Sequence, residues 1–201
     1  DIIMVGEIRD RETLEIALNA AMTGHLVLST LHTNSAAAAL PRMLDMGAEP
    51  FLIASTVNVI IAQRLVRRLC AECREEYRMD DKQCSTLGKI FDLDRLSTAL
   101  RKHKSLGSFL GKSADWKELQ FYRNKGCDQC GGEGYRGRLG IYEVLEMETN
   151  IRKLVTQSAA TEAIEEEARS KNGMMTMVED GFAKALQGMT SVEEILRVTK
   201  E

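Results

Sequence analysis

The sequence is poor in aromatic residues, in net charge and in long apolar runs. Aromatic side chains make up 5% of the 201 residues and the formal net charge is −3. It therefore lacks the basic surplus and interleaved aromatics typical of nucleic-acid-binding proteins. The longest apolar stretch, 51–62, is broken by polar residues and falls short of the ~20 residues that span a bilayer. We expect a soluble globular protein with no transmembrane segment, no signal peptide and no nucleic-acid partner.

Cysteines are also few, and four of the five stand in two identically spaced pairs. Cys70 and Cys73 form one Cys-x-x-Cys pair, Cys127 and Cys130 form the other, and Cys84 lies outside both. Four thiolates suit tetrahedral Zn²⁺, and a site with four protein ligands leaves no position for a reactive water. The pattern predicts a structural zinc site in a reducing compartment, the cytoplasm. A redox pair or unrelated reduced thiols are the alternatives.

Arginines flank the first cysteine pair, and a long segment separates the two pairs. Arg67, Arg68 and Arg74 lie beside the first pair and are expected to stabilise the thiolate charge. The segment between the pairs is much longer than the ~15–20 residues of a compact zinc ribbon. The metal would therefore join the two ends of a long intervening segment. The polar part of this segment, 78–122, is expected to be a solvated helical insertion.

The first ten residues combine an apolar strand with a carboxylate at its end. Ile2 to Val5 form an apolar run typical of a strand buried on both faces of a parallel sheet. Glu7 follows that strand, where nucleotide hydrolases hold Mg²⁺ or orient the attacking water. Gly6 removes a side chain where phosphate, metal or a neighbouring strand must approach closely. Taken alone, Glu7 could equally be a surface glutamate that follows a core strand.

A second strand, His25 to Leu31, carries polar side chains at its end. In open α/β sheets, ligands bind outside the carboxyl ends of the strands. The period-two alternation of a strand puts Thr30 and His32 on one face and His25 on the other. Thr30 and His32 are therefore candidates for sensing a nucleotide, and His25 is expected to be structural. A lone histidine here would be an ordinary polar residue, but its pairing with Glu7 on successive strands favours a functional role.

The pattern along the chain predicts three regions. Strands and helices alternate over 1–69, as in a parallel α/β sheet, with Asp10 capping a helix and Pro50 opening another that runs to about Ile60. Residues 70–137 form the tetracysteine subdomain with its polar insertion. Residues 138–201 form a strand followed by helices, and Ser191 with Glu194 predicts a capping box before the last helix.

One segment imitates a phosphate-binding loop. Residues 107–113, Gly-Ser-Phe-Leu-Gly-Lys-Ser, have three residues between the glycines, where the motif requires four. No apolar strand leads into the segment. We therefore expect a solvated loop that holds no phosphate.

Together these segments resemble the secretion and pilus-assembly ATPases of the type II secretion / type IV pilus (GspE/PilB) class. Residues 2–10 look like the atypical Walker B segment of that family. The other matching segments are the histidine box at 24–34, the stretch 62–70, both cysteine pairs, the run 134–143 and the ending 190–199.

The resemblance implies the C-terminal half of a RecA-like P-loop ATPase domain with a tetracysteine zinc subdomain and a C-terminal helical region. Glu7 would be the carboxylate that acts on water or Mg²⁺, and His32 would read the γ-phosphate state. Arg9, Gln63 and Arg64 would be contacts to the nucleotide or a neighbouring subunit. Cofactors would be structural Zn²⁺, with ATP and Mg²⁺ in the complete protein.

The same resemblance implies a multi-subunit assembly. The complete protein would be a homo-hexamer on the cytoplasmic face of the bacterial inner membrane, where it works with platform and adaptor proteins. Because the sequence contains no phosphate-binding loop, we expect the 201-residue chain alone to be inactive. The alternative is a zinc-stapled protein-interaction module without catalysis.

Overall fold

The computed structural model describes residues 1–102, 106 and 115–199. These residues fall into two compact units, each built from two stretches of chain: Asp1–Ala62 with Glu143–Met174, and Gln63–Tyr142 with Met175–Glu201. The domains predicted from the sequence, 1–69, 70–137 and 138–201, are contiguous and stay a prediction. The segment that imitates a phosphate-binding loop, 107–113, lies outside the described residues.

The fold is α/β. In chain order its described elements are β1 Ile2–Val5, α1 Arg11–Met22, β2 Leu26–Ser29, α2 Ala39–Asp45, α3 Pro50–Thr56, β3 Val59–Leu69, β4 Glu75–Arg78, α4 Asp81–Gly88, α5 Leu93–Lys102, β5 Gln120–Arg123, β6 Tyr135–Glu146, α6 Thr149–Thr156, α7 Thr161–Lys171, α8 Met177–Leu186 and α9 Val192–Thr199. Strands β3 and β6 pair with each other. No helix among the described residues is both long enough and apolar enough to cross a membrane.

The first unit is built on a parallel strand pair. Strand β1 pairs with β2 so that Ile2 lies beside Leu26 and Val5 beside Ser29. The connecting helix α1 begins at the predicted cap, where the Asp10 side chain accepts a hydrogen bond from the Thr13 amide at 2.8 Å. Helices α1, α2, α3, α6 and α7 contribute the buried core of this unit.

The prediction that β1 is buried on both faces is wrong for the described residues. Met4 is 81% exposed, and Ile2, Leu26 and Leu28 are exposed as well. The parallel register sets Ile2 beside Leu26 and Met4 beside Leu28. The described part of the chain therefore covers one face of this strand pair and leaves the other open.

The second unit contains the polar insertion, which the sequence predicted to be solvated. Instead, its helices α4 and α5 contribute to a core together with β5, α8 and α9. Trp116 and Phe121 lie at the centre of this core, with ring centroids 6.2 Å apart. The insertion contributes to this core because several of its apolar residues, such as Leu87, Leu96 and Leu100, are buried.

Candidate active site and metal centre

The ends of β1 and β2 are tied together in the first unit. The Thr30 hydroxyl donates a hydrogen bond to the Gly6 carbonyl at 2.8 Å. The Ile8 amide donates to the Thr30 carbonyl at 2.9 Å. These bonds continue the parallel pairing beyond the strands, so the residues that follow each strand leave the sheet side by side.

Glu7 and His32 meet at this edge of the sheet. The His32 Nε2 atom lies 2.5 Å from Glu7 Oε1, and the Arg9 Nη2 atom lies 2.6 Å from Glu7 Oε2. The Glu7 side chain is 22% exposed, whereas the His32 side chain is 85% exposed. Glu7 Oε1 is shielded from solvent and lies against His32 Nε2, which helps to lower the pKa of the carboxyl. A carboxylate can accept more hydrogen bonds than these two contacts provide, so Glu7 can still hold a metal ion or a water molecule.

The environment favours an ionised Glu7. The hydrogen bond from Arg9 lowers the pKa of the Glu7 carboxyl, although partial burial acts in the opposite direction. The charges of Arg9 and His32 lower it further. An ionised carboxylate is the form that binds Mg²⁺ or accepts a hydrogen bond from the attacking water.

The other residues predicted for this site occupy different surroundings. A Cβ atom built on Gly6 would meet nothing within 4 Å, so the space beside it is open. The Thr30 hydroxyl is engaged with Gly6 rather than turned to a ligand. Gln63 and Arg64 belong to the second unit, where Arg64 Nη1 donates to the Val198 carbonyl at 2.7 Å. The first unit thus brings together Glu7, His32 and Arg9.

The four paired cysteines form one cluster in the second unit. Their Sγ atoms all lie within 4.8 Å of one another. Three of the separations are 3.9 Å for Cys70–Cys127, 3.8 Å for Cys73–Cys130 and 3.7 Å for Cys127–Cys130. A tetrahedron with Zn–S bonds of about 2.3 Å has sulfur atoms roughly 3.8 Å apart. The cluster therefore fits a tetrahedral metal ion, and these distances are too long for disulfide bonds.

Backbone amides, rather than the predicted arginines, contact a cysteine of this cluster. The amides of Cys127 and Gly134 each donate to Cys130 Sγ at 3.2 Å. Burial opposes ionisation of Cys130, but these hydrogen bonds outweigh it and lower the pKa of the thiol to about 6. Burial raises the pKa of the Cys73 thiol to about 12. A bound metal would have to displace the proton of Cys73.

The arginines near the first pair make different contacts from those predicted. Arg67 pairs with Glu194, with Nη2 and Oε1 2.6 Å apart, and its guanidinium lies 4.2 Å from the centre of the Tyr135 ring. Arg74 donates to the Gly188 carbonyl at 2.5 Å. These contacts join β3 and the first cysteine pair to the C-terminal helices, so Arg67 and Arg74 hold the unit together.

Sequence reasoning also missed Glu143. This carboxylate is buried on β6 and accepts a hydrogen bond from the Ala36 amide, 107 positions earlier, at 2.8 Å. A signal was present, because Ile141, Glu143 and Leu145 alternate with exposed residues and Glu143 takes an inward position. A charged residue at such a position indicates a specific buried partner.

The sequence matches the family described as Type II/IV secretion system protein over residues 1–197. It is 43% identical to the Type II secretion system protein E of Pseudomonas aeruginosa and to the Type II secretion system ATPase E of Vibrio cholerae. Each of these matches covers all of this chain and 35% of the relative. It is also 43% identical to the Type IV pilus assembly ATPase PilB of Pseudomonas aeruginosa, of which it covers 31%. The chain thus spans about a third of the length of these relatives.

Solved structures have the same fold. The ATPase DotB of Legionella pneumophila superposes with a TM-score of 0.58 at 20% identity, covering 99% of this chain and 38% of DotB. The pilus retraction motor PilT with bound ADP superposes with a TM-score of 0.57 at 23% identity, covering 100% of this chain and 40% of PilT. The family match covers almost the whole sequence, so this chain belongs to the family described as Type II/IV secretion system protein.

Proposed function

We propose that this chain is part of a motor ATPase that couples ATP hydrolysis to assembly of a type II secretion pseudopilus or a type IV pilus. The observation that carries the proposal is the 2.5 Å approach of His32 Nε2 to Glu7 Oε1 at the carboxyl ends of two parallel strands. Relatives whose names include ATPase support it.

Within this proposal, Glu7 is the catalytic carboxylate and His32 the residue that reads the γ-phosphate. Glu7 has the low pKa and the shielded oxygen needed to orient a water molecule or to hold Mg²⁺. Mg²⁺, when bound with ATP, would neutralise charge on the phosphates. His32 is exposed beside Glu7, so it can turn between the carboxylate and a ligand. Arg9 neutralises Glu7 when the site holds no nucleotide.

The remaining assignments concern the whole protein. Gly6, Thr30, Gln63 and Arg64 are proposed to lie near the nucleotide or a neighbouring subunit in a homo-hexamer. Platform and adaptor proteins of the inner membrane are the proposed partners, on the cytoplasmic side. Membership of the secretion family supports these assignments.

We propose that the metal of the cysteine cluster is Zn²⁺ with a structural role. The sulfur spacing supports a tetrahedral ion, and the four thiols are the ligands that zinc favours. All four ligands come from this chain, so no position is left for water.

The test replaces Glu7 by Gln in the full-length protein, because the 201-residue chain alone is proposed to be inactive. Gln keeps the shape of the side chain but removes its negative charge. We expect kcat for ATP hydrolysis to fall by about 10²- to 10⁴-fold, the range for losing a group that transfers or orients a proton. Steady-state ATPase assays with added Mg²⁺ measure it.

Glu15→Gln is the matched control, since Glu15 lies on α1 and pairs with Arg11 away from the strand ends. It should leave kcat within about twofold of wild type, as exposed ion pairs contribute little. Equal activity of Glu7→Gln and Glu15→Gln would refute the motor role of this site and favour the interaction module.

A further inference from the structure

Glu143 sits where the strand pattern calls for an apolar residue. On β6 its neighbours on the inward face, Ile141 and Leu145, are buried, and Glu143 itself is 3% exposed. An ionisable side chain buried this deeply is unfavourable unless it is hydrogen-bonded. Its carboxylate Oε1 accepts the Ala36 amide at 2.8 Å. Glu143 is buried and hydrogen-bonded to a backbone amide far away in the sequence. This contact indicates that the carboxylate has a specific structural role.

The partner of Glu143 lies in the segment that carries His32. Ala36 begins a turn at 36–38 that leads from the end of β2 into α2, and Ala36 is fully buried. Just before the turn, Thr33 Oγ1 donates to the Ser35 carbonyl at 3.0 Å, and the Ala38 amide within the turn donates back to Ser35 Oγ at 3.2 Å. Glu143 therefore supplies a long-range hydrogen bond that ties this turn to a strand.

His32 is held between two anchors. Before it, Thr30 is bound to Gly6 and Ile8 by hydrogen bonds across the strand ends. After it, Ala36 is bound to Glu143. The His32 side chain is highly exposed, so packing of the ring does little to fix its place. The backbone that the two anchors hold therefore places His32 within reach of Glu7.

We propose that Glu143 is a positioning residue that holds the segment 31–38 and thereby sets His32 against Glu7. The inference rests on the proposed function in one respect, because its effect on turnover requires that His32 act in ATP hydrolysis. Its effect on the segment itself does not depend on that role.

The first experiment compares Glu143→Ala and Glu143→Gln in the full-length protein by hydrogen–deuterium exchange. Losing a buried hydrogen bond to a carboxylate should make the amides of 31–38 exchange about 10- to 100-fold faster in Glu143→Ala. Peptides from α3 and α6 should keep their protection. Glu143→Gln retains an oxygen that can accept the Ala36 amide, so it should restore most of the protection. Glu146→Ala, an exposed glutamate on the same strand, is the control.

The second experiment measures ATPase kinetics in the same full-length variants. Glu143→Ala should lower kcat about 10-fold or more with KM changed less than about threefold, and Glu143→Gln should recover much of the loss. If Glu143 acts through His32, adding Glu143→Ala to a His32→Ala protein should cause almost no further loss. Additive losses would mean that Glu143 acts elsewhere and would overturn the inference.

The two experiments separate the two hypotheses. Unchanged exchange of 31–38 in Glu143→Ala, or equally faster exchange in α3 and α6, would overturn the positioning role. Faster exchange confined to 31–38, with kcat unaffected by both His32→Ala and Glu7→Gln, would support the anchor and refute the proposed function.

Discussion

Glu194 is a buried acidic side chain of the second unit that is bound by two arginines. It is 1% exposed, and it accepts hydrogen bonds from the Arg67 amide at 2.8 Å and from the Arg67 and Arg197 guanidinium groups. Burial opposes its ionisation, but the hydrogen bonds from Arg197 and Arg67 outweigh burial and lower its pKa to about 2. Glu194 thus fastens α9 to β3 as an ion pair with several hydrogen bonds, and such pairs resist removal of one partner.

The low pKa of Glu194 predicts a pH dependence of stability. The folded-state pKa lies below the usual value of 4.5, so the stabilisation is complete above pH 4.5 and is lost as pH falls towards about 2. We expect Glu194→Gln to lower the free energy of unfolding by about 3 kcal/mol at pH 7, with the difference from wild type shrinking below pH 4.5. Urea unfolding followed by circular dichroism measures it, and effects of acid common to both proteins cancel in the difference.

The exposed Glu193 provides the control, since Glu193→Gln should change the free energy of unfolding by less than about 0.5 kcal/mol at every pH. A constant difference between Glu194→Gln and wild type from pH 7 to pH 3 would contradict the assignment.

At the residue scale, the sequence predicted those contacts that follow from the parallel direction of neighbouring strands. Glu7 and His32 were expected together because parallel strands deliver their ends to one edge. The Ser191–Glu194 capping box was half correct: the Glu194 amide donates to Ser191 Oγ at 3.4 Å, but its carboxylate turns to Arg67. The bonds from Arg67 to Glu194 and from Ala36 to Glu143 span more than a hundred positions, and no local pattern specifies such partners.

At the level of elements, boundaries set by local chemistry were predicted well. Asp10 caps α1 and Pro50 opens α3 as expected. The end of α3 was placed too late, because the β-branched residues after Thr56 extend β3 back to Val59. The insertion was misjudged because its charged residues dominate its composition, whereas few inward-facing apolar residues decide whether a helix packs.

The packed insertion makes a prediction about its tryptophan. Trp116 is buried, stacks on Phe121, meets Phe182 edge-on with centroids 5.6 Å apart, and donates from Nε1 to Ser97 Oγ at 3.0 Å. Trp116→Ala should lower the free energy of unfolding by about 3–5 kcal/mol, as for other large aromatic residues truncated in a core. Trp116→Phe should lower it by only about 1–2 kcal/mol, because a benzene ring remains although part of the indole volume and its hydrogen bond are lost.

Circular dichroism during urea unfolding measures these losses, with the exposed Glu118→Ala as the neighbouring control. If Trp116→Ala and Glu118→Ala unfold at the same urea concentration, Trp116 does not contribute to the core of the second unit.

At the scale of the whole molecule, unfolding of the second unit can be followed by a signal of its own. The sequence contains a single tryptophan, and it belongs to the second unit, as do all four clustered cysteines. Tryptophan fluorescence therefore reports unfolding of the unit that holds the metal centre. Because the two cysteine pairs lie 57 positions apart between Cys70 and Cys127, a metal joining them removes much freedom from the unfolded chain.

Metal removal should consequently destabilise the second unit. We expect one Zn²⁺ per chain by elemental analysis under reducing conditions, and treatment with a chelator should lower the midpoint of the fluorescence-detected thermal transition by more than about 5 °C.

Cys130→Ser should bind less zinc and show the same lowered midpoint without chelator. Cys84→Ser is the matched control, because Cys84 lies outside the cluster and should leave zinc content unchanged. Zinc should also be released as pH falls, since protons compete with the metal for the thiolates. An unchanged midpoint after verified metal removal, or zinc loss equal in Cys84→Ser and Cys130→Ser, would contradict a structural metal held by these four cysteines.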